Sequence, residues 1–127
     1  MDIIQAERDF TAWIAGKLDL TVDTDIFRGG YPAEANNAVG VLFGSEIKDN
    51  YPTDKIHNVQ ILGKFADRDS ALAMVNTLSA VIPCYGDTIN ITTFKSITPR
   101  SSGNYPADDD GAIKHFASVN IIVAMFQ

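Results

Sequence analysis

The chain has few of the features that mark a secreted protein or a metal-cluster protein. Its 127 residues include one cysteine, Cys84, which excludes an intrachain disulfide and a thiolate metal cluster. No apolar run approaches the roughly 18 residues of a membrane-spanning helix. The N-terminal MDIIQAERDF has no basic segment followed by an apolar stretch. We therefore expect a soluble protein that is made and kept in the cytoplasm and has no membrane partner.

Basic residues are also scarce. Ten Lys and Arg stand against 16 Asp and Glu, which gives a net charge of −6. Proteins that bind nucleic acid usually present a broad basic surface. The composition therefore disfavours specific nucleic-acid binding, although it leaves a local basic patch open.

Catalytic signatures are missing from the sequence as well. No GxGxxG, Walker A, HExxH or GxSxG pattern occurs. His57, His115 and Cys84 leave a Cys/His nucleophile pair open by composition, but nothing in their spacing selects one. Cys84 follows the predicted end of a helix, whereas reactive thiolates are favoured at helix N-termini. We expect no catalytic, cofactor-binding or metal-binding residues, and an enzyme or small-ligand module is the least favoured alternative.

What the chain does have is clear hydrophobic periodicity. Residues 59–82 join an apolar strand to an amphipathic helix through the polar corner 67–70, whose side chains can accept hydrogen bonds from a helix start. A second amphipathic helix is predicted for residues 3–18. The length fits a single domain, residues 1–127.

The remaining apolar runs predict strands. We expect Gly44 and Ser45 to end one of these runs, and Gly86 and Asp87 to form a turn. After that turn, residues 88–92 alternate, and residues 94–98 either continue or pair with them. The predicted strands are 24–27, 37–43, 56–65, 88–92, 94–98 and 115–126.

Residues 99–111, PRSSGNYPADDDG, hold two prolines, two glycines and three consecutive aspartates and predict a long loop. An EF-hand register that places Gly111 at its sixth position puts Pro106 first and Ala117 twelfth, and neither carries a carboxylate. A solvated acidic loop is the leading interpretation, with an occasional metal or a basic partner surface as alternatives. The candidate interface or lumen residues of this loop are Arg100, Asp108, Asp109 and Asp110.

Four segments taken in order resemble the tail terminator, or tail completion, proteins of long-tailed bacteriophages, some of which are described as minor capsid proteins. They are the N-terminal helix, IFRGGYP followed by NNAVGVLFG, the unit VQILGKFADRDSALAMVNTLSAVI, and the terminal DDDGAIKHFASVNIIVAMF. The order of these segments matches along almost the whole chain.

The resemblance implies an α+β fold, with a mixed or antiparallel β-sheet covered by two α-helices. It also implies a structural protein of the virion tail that associates with itself into a ring, commonly a hexamer. Such a ring caps the tail tube and forms the surface that joins tail to head. Its partners would be the tail tube protein and a head completion protein, and it would need no cofactor.

Two further expectations follow from a ring. Because every chain is acidic, we expect acidic groups such as Asp108 to Asp110 to face the lumen, where repulsion would let DNA pass without sticking. The main alternative to a terminator is a head completion or connector protein. Binding to tail tubes or to portal complexes distinguishes the two.

Overall fold

The computed structural model describes residues 2–47, 54–109 and 111–126. Its elements are α1 (Ile3–Leu18), β1 (Ile26–Arg28), β2 (Ala38–Ile47), β3 (Asp54–Phe65), α2 (Arg68–Val81), β4 (Cys84–Ile89), β5 (Thr92–Asp109) and β6 (Ala112–Phe126). The strands form one sheet in the order β1-β2-β3-β6-β5-β4. Only the β1–β2 pair is parallel, and the sheet curves into a half-barrel.

The expected α+β class is wrong, because the protein is mostly β. The six strands occupy more than half of the described residues, whereas the helices contribute 16 and 14 residues. The difference comes mainly from β5, whose 18 residues run through the segment expected to be a long loop. The two helices pack on one face of the sheet and leave part of it uncovered.

The first helix matches its predicted bounds. Ala6, Phe10 and Ile14 recur every four residues and are fully buried, so they form the stripe that α1 packs onto the sheet. The Asp2 carboxylate caps the helix by accepting a hydrogen bond from the Ile4 N–H at 2.9 Å. The helix ends at Asp19, which adopts the left-handed conformation with φ of 56°.

The polar corner before α2 is also confirmed. Asp67 is the N-cap, and its carboxylate accepts from the Ser70 N–H at 3.3 Å. Hydrogen bonding to Ser70 lowers the pKa of Asp67. The helix buries Ala71, Met74 and Leu78 against the sheet.

One buried carboxylate ties α1 to the β4–β5 turn. Asp9 is 4% exposed, and its oxygens accept hydrogen bonds from Thr92 Oγ1 at 2.6 Å, Gln5 Nε2 at 2.8 Å and Asn90 Nδ2 at 3.2 Å. Burial raises the pKa of Asp9, but these hydrogen bonds and one from the Ile91 N–H outweigh it and lower the pKa overall. The carboxylate is therefore held in its charged form by neutral donors.

Three local predictions are wrong. Residues 99–109 form a strand, because they pair along their length with the long apolar β6. Gly86 and Asp87 lie inside β4, and the turn falls at Asn90, with φ of 53°. The strand β2 does not end at Gly44 and Ser45, which form an irregularity in the β2–β3 register before pairing resumes. In the part of the chain that the structure describes, no helix is long and apolar enough to cross a membrane.

Candidate assembly surface

The acidic end of the predicted loop lies at the tip of the β5–β6 hairpin. Asp108 and Asp109 are the last residues of β5, and Gly111 turns the chain with φ of 85°. Asp110 lies outside the described residues. The tip projects past the end of β3, because β3 stops pairing at Phe65. Only a two-stranded ribbon therefore carries the acidic residues.

Asp109 is anchored to the body of the protein by Lys64. The Lys64 side chain is 4% exposed, and its Nζ lies 2.6 Å from Asp109 Oδ2 and donates to the Ala33 carbonyl at 2.6 Å. A buried ammonium needs such partners, because an unpaired charge in the interior is costly. The sequence did not predict this role of Lys64, because a lysine within an apolar strand gives no indication of an ion-pair partner 45 residues away. Asp108, in contrast, is exposed.

Arg100 lies elsewhere on β5, at a register irregularity between Pro99 and Ser101. Its Nη1 donates to Asn58 Oδ1 on β3 at 2.6 Å, so the side chain reaches across β6. Among the described residues, no carboxylate forms an ion pair with Arg100. At ~3.3 Å per residue, Arg100 and Asp108 are about 25 Å apart along the strand. The candidate residues therefore do not form one cluster within a chain.

The uncovered face of the sheet carries a shallow groove of about 510 Å³. Its polar side chains form a small network: Asn120 Nδ2 donates to Ser101 Oγ at 3.1 Å and to Ser118 Oγ at 3.2 Å, and Gln60 Nε2 contacts Ser118 Oγ at 3.5 Å. The lining residues are Leu42, Gly44, Ser45, Asn58, Val59, Gln60, Arg100, Ser101, Asn120 and Ile121, none of them acidic.

Within the described residues, the outer edge of β5 is unpaired over most of its length. The pairing with β4 ends at Cys84 and Ile97, so among the strands described residues 98–109 have a neighbour, β6, on one side only. All eight residues 99–106 are exposed. A second cleft, of about 340 Å³, separates this edge from the C-terminal half of α2.

The three residues of the enzyme hypothesis are not brought together. Cys84, Ile97, Val123 and His57 lie in one row across the sheet, three strand spacings from end to end, or about 14 Å. His115 lies toward the hairpin tip, eight residues along β6 from Val123. Burial raises the pKa of the Cys84 thiol, and the nearby Asp87 raises it further. This arrangement does not activate the cysteine.

Metal ligands are not clustered either. In residues 2–47, 54–109 and 111–126, no three His, Cys, Asp or Glu side chains lie close enough together to hold a metal ion. The two described aspartates of the hairpin tip differ in surroundings, because Lys64 engages one and the other faces solvent.

No protein-family model matches the chain, and no curated protein matches it. Solved structures do match its fold. It is similar to a chain in "Virion of native gene transfer agent (GTA) particle", with a TM-score of 0.56 and 12% sequence identity. The similarity covers 96% of this chain and 91% of that chain, so the two share a fold along nearly their whole lengths.

Proposed function

We propose that this chain is a structural protein of a phage or prophage virion, and that it caps the tail tube and forms the surface joining tail to head. The observation that carries the proposal is the fold shared with a virion chain across 96% of the sequence. The ordered resemblance of four segments to tail terminators points to the same role. The chain would act in the virion tail after assembly in the host cytoplasm.

The surface geometry supports an assembly role. No strand among the described residues pairs with the outer edge of residues 98–109, and the sheet face beside it carries a polar groove. An open strand edge offers main-chain groups with which another chain can pair. We propose self-association into a ring, commonly a hexamer, with the tail tube protein and a head completion protein as neighbours.

A tube-growth assay tests the capping role. The purified chain is added to polymerising tail tube protein of the same phage, and tube lengths and ends are recorded by electron microscopy. We expect shorter tubes with a ring at one end. Tubes of unchanged length with no bound chain would contradict the proposal.

A head completion or connector protein is the second candidate, because the matched particle is described as a virion, without reference to head or tail. Pull-down of the chain with purified portal complexes and with tail tubes separates the two roles. Binding to tubes alone supports a terminator, and binding to portal complexes alone supports a connector.

We also propose that the acidic hairpin tip faces the lumen of the ring. Asp108 is the described residue best suited to repel DNA there, since Asp109 is neutralised by Lys64. If neutralising Asp108 and Asp110 changed neither DNA passage nor assembly, this lumen role would be excluded.

A further inference from the structure

The groove on the uncovered sheet face has a side-chain arrangement that a regular strand does not give. Consecutive residues of a strand point to opposite faces. Arg100 Nη1 donates to Asn58 Oδ1 at 2.6 Å, and the next residue, Ser101, accepts from Asn120 Nδ2 at 3.1 Å. Asn58 and Asn120 share one face, because Asn58 pairs with Ile122, two residues from Asn120. The register irregularity of β5 at this point therefore directs two consecutive side chains into one groove.

A second irregularity borders the same groove from β2. The β2–β3 register shifts between Phe43 and Glu46. The two residues of the shift, Gly44 and Ser45, line the groove. Bulges are frequent next to active sites, where they redirect side chains. The groove is therefore bordered on both sides by strands that depart from regular pairing.

Arg100 determines which hydrogen-bonding groups remain available in the groove. A guanidinium only donates, so Asn58 must accept through its carbonyl oxygen, and its amide nitrogen is left as a donor. Arg100 keeps further N–H groups beyond the one that Asn58 uses. Among the described residues, no carboxylate pairs with Arg100, and none of those that line the groove is acidic. The groove therefore presents donors and a positive charge.

A carboxylate matches this arrangement. When ionised it only accepts hydrogen bonds, and it can pair with the planar guanidinium through two parallel bonds. At about 510 Å³ the groove is shallow and open, whereas sites for small molecules bury most of the ligand surface. The groove therefore suits an acidic side chain that is carried by another protein chain.

We propose that this groove binds an acidic segment of another virion protein and places an Asp or Glu carboxylate against Arg100 and Asn58. The acidic hairpin tip of the same chain does not reach it, since Asp108 lies about 25 Å from Arg100 along β5. Asp109 is already engaged by Lys64. The inference rests on the proposed assembly role and names the chemistry of one partner, whether the chain is a terminator or a connector.

Titration with a synthetic peptide tests the inference. The probe is a blocked peptide of alternating Asp and Thr, and the control peptide has Asn in place of each Asp. Heteronuclear NMR follows the side-chain amides of Asn58, Gln60 and Asn120 and the Arg100 Nε–H. We expect the acidic peptide to shift these signals and the control peptide to leave them unchanged. No shift with the acidic peptide at millimolar concentration would overturn the inference.

Two exposed arginines give matched variants. Arg100→Gln should weaken binding of the acidic peptide about tenfold or more, because it removes a charge-assisted hydrogen bond. Arg68→Gln removes the same charge at an exposed position outside the groove and should leave the affinity nearly unchanged. Arg100→Lys keeps the charge but loses the planar fork, so its affinity should lie between those of Arg100→Gln and the unmodified chain. Equal affinities of the two glutamine variants would overturn the inference.

Two further titrations identify the source of the carboxylate. If sodium acetate shifts the same signals with the same affinity per carboxylate as the peptide, the groove is a site for a free anion, and docking of a protein segment is overturned. If the signals shift as the concentration of the unmodified chain alone rises, a second copy occupies the groove, and the assignment to another virion protein is overturned.

The groove and the capping role fail separately. If the acidic peptide does not bind but the chain still shortens tail tubes, the groove inference is wrong and the capping role stands. If the peptide binds through Arg100 but the chain binds neither tail tubes nor portal complexes, the proposed function fails, and the groove keeps its affinity for acidic segments.

Discussion

Asp9 shows how a buried charge can be kept without a cation. It is 4% exposed, and it accepts hydrogen bonds from neutral donors on α1 and on the β4–β5 turn. Three of these contacts, with Thr92, Asn90 and the Ile91 N–H, come from the turn. Hydrogen bonds to this carboxylate therefore connect the N-terminal helix to a strand connection more than 80 residues away.

We predict that Asp9→Ala lowers the free energy of unfolding by about 2–4 kcal/mol, because it leaves buried donors without an acceptor. Chemical denaturation measures the change. Arg8→Ala, at an exposed neighbouring position on the same helix, should change stability by less than about 0.5 kcal/mol. Equal effects of the two substitutions would show that the hydrogen bonds of Asp9 do not contribute to the free energy of unfolding.

The pH dependence of stability follows from the same residue. The folded-state pKa of Asp9 lies below its ordinary value of 3.8, so the ionised carboxylate stabilises the fold fully above that value. The contribution is lost as pH falls below 3.8 towards the folded-state pKa. We expect the stability difference between the protein and its Asp9→Asn variant to be constant near neutral pH and to shrink in acid. A difference that grows as pH falls would contradict this sign.

The two described tip aspartates give a matched pair. Asp109 is the ion-pair partner of a Lys64 side chain that is 4% exposed, whereas Asp108 is exposed. We predict that Asp109→Asn destabilises the protein by about 1–2 kcal/mol, discounted because Asp109 itself is partly solvated. Asp108→Asn removes the same charge and should be nearly neutral. Thermal unfolding of both variants measures the contrast, and equal shifts would exclude the proposed anchoring of the hairpin.

At the scale of elements, glycine marks where helix and sheet approach closely. A methyl group on Gly63 would clash with the Phe65 ring and would lie 2.6 Å from the Met74 sulfur of α2. Gly103, on the exposed part of β5, has open space around it. The packing of α2 on β3 therefore depends on a missing side chain at Gly63.

We predict that Gly63→Ala lowers the free energy of unfolding by about 1–3 kcal/mol, because Phe65 and Met74 must move to make room. Gly103→Ala should be neutral or slightly stabilising, since alanine restricts the unfolded chain more than glycine does. Urea unfolding of both variants checks the prediction. A neutral Gly63→Ala would mean that α2 can shift without cost.

Sequence patterns predicted the elements whose apolar or capping residues lie within one short stretch of the chain. The stripe of α1, the Asp67 cap of α2 and the apolar run of β3 each carry their own signal, and the structure confirms them. The segment 99–109 carries a loop signal instead, with glycine, proline, serine and aspartate. It becomes a strand through non-local pairing with β6, and an exposed edge strand needs no apolar pattern. That one segment explains most of the error in fold class.

The candidate surface was only partly visible in the sequence. The tip aspartates stood out as a run, but the Lys64 that engages one of them did not, because its partner is distant in the chain. Arg100 could be named, yet its reach across β6 to Asn58 depends on strand order. The open edge of β5 likewise depends on where β4 stops pairing with it.

At the scale of the whole molecule, the protein is a curved sheet with helices on one face, and within the described residues the outer edge of β5 is unpaired over residues 98–109. Its net charge is −6. The role that we propose for it is mechanical, and it would depend on the geometry of contacts between chains more than on any single side chain.

Native mass spectrometry of the purified chain, alone and with the tail tube protein of the same phage, tests the proposed ring. We expect a closed oligomer of one defined size, commonly six chains, formed either by the chain alone or when tail tube protein is added. A chain that stays monomeric under both conditions, and that neither binds nor caps tail tubes, would contradict it.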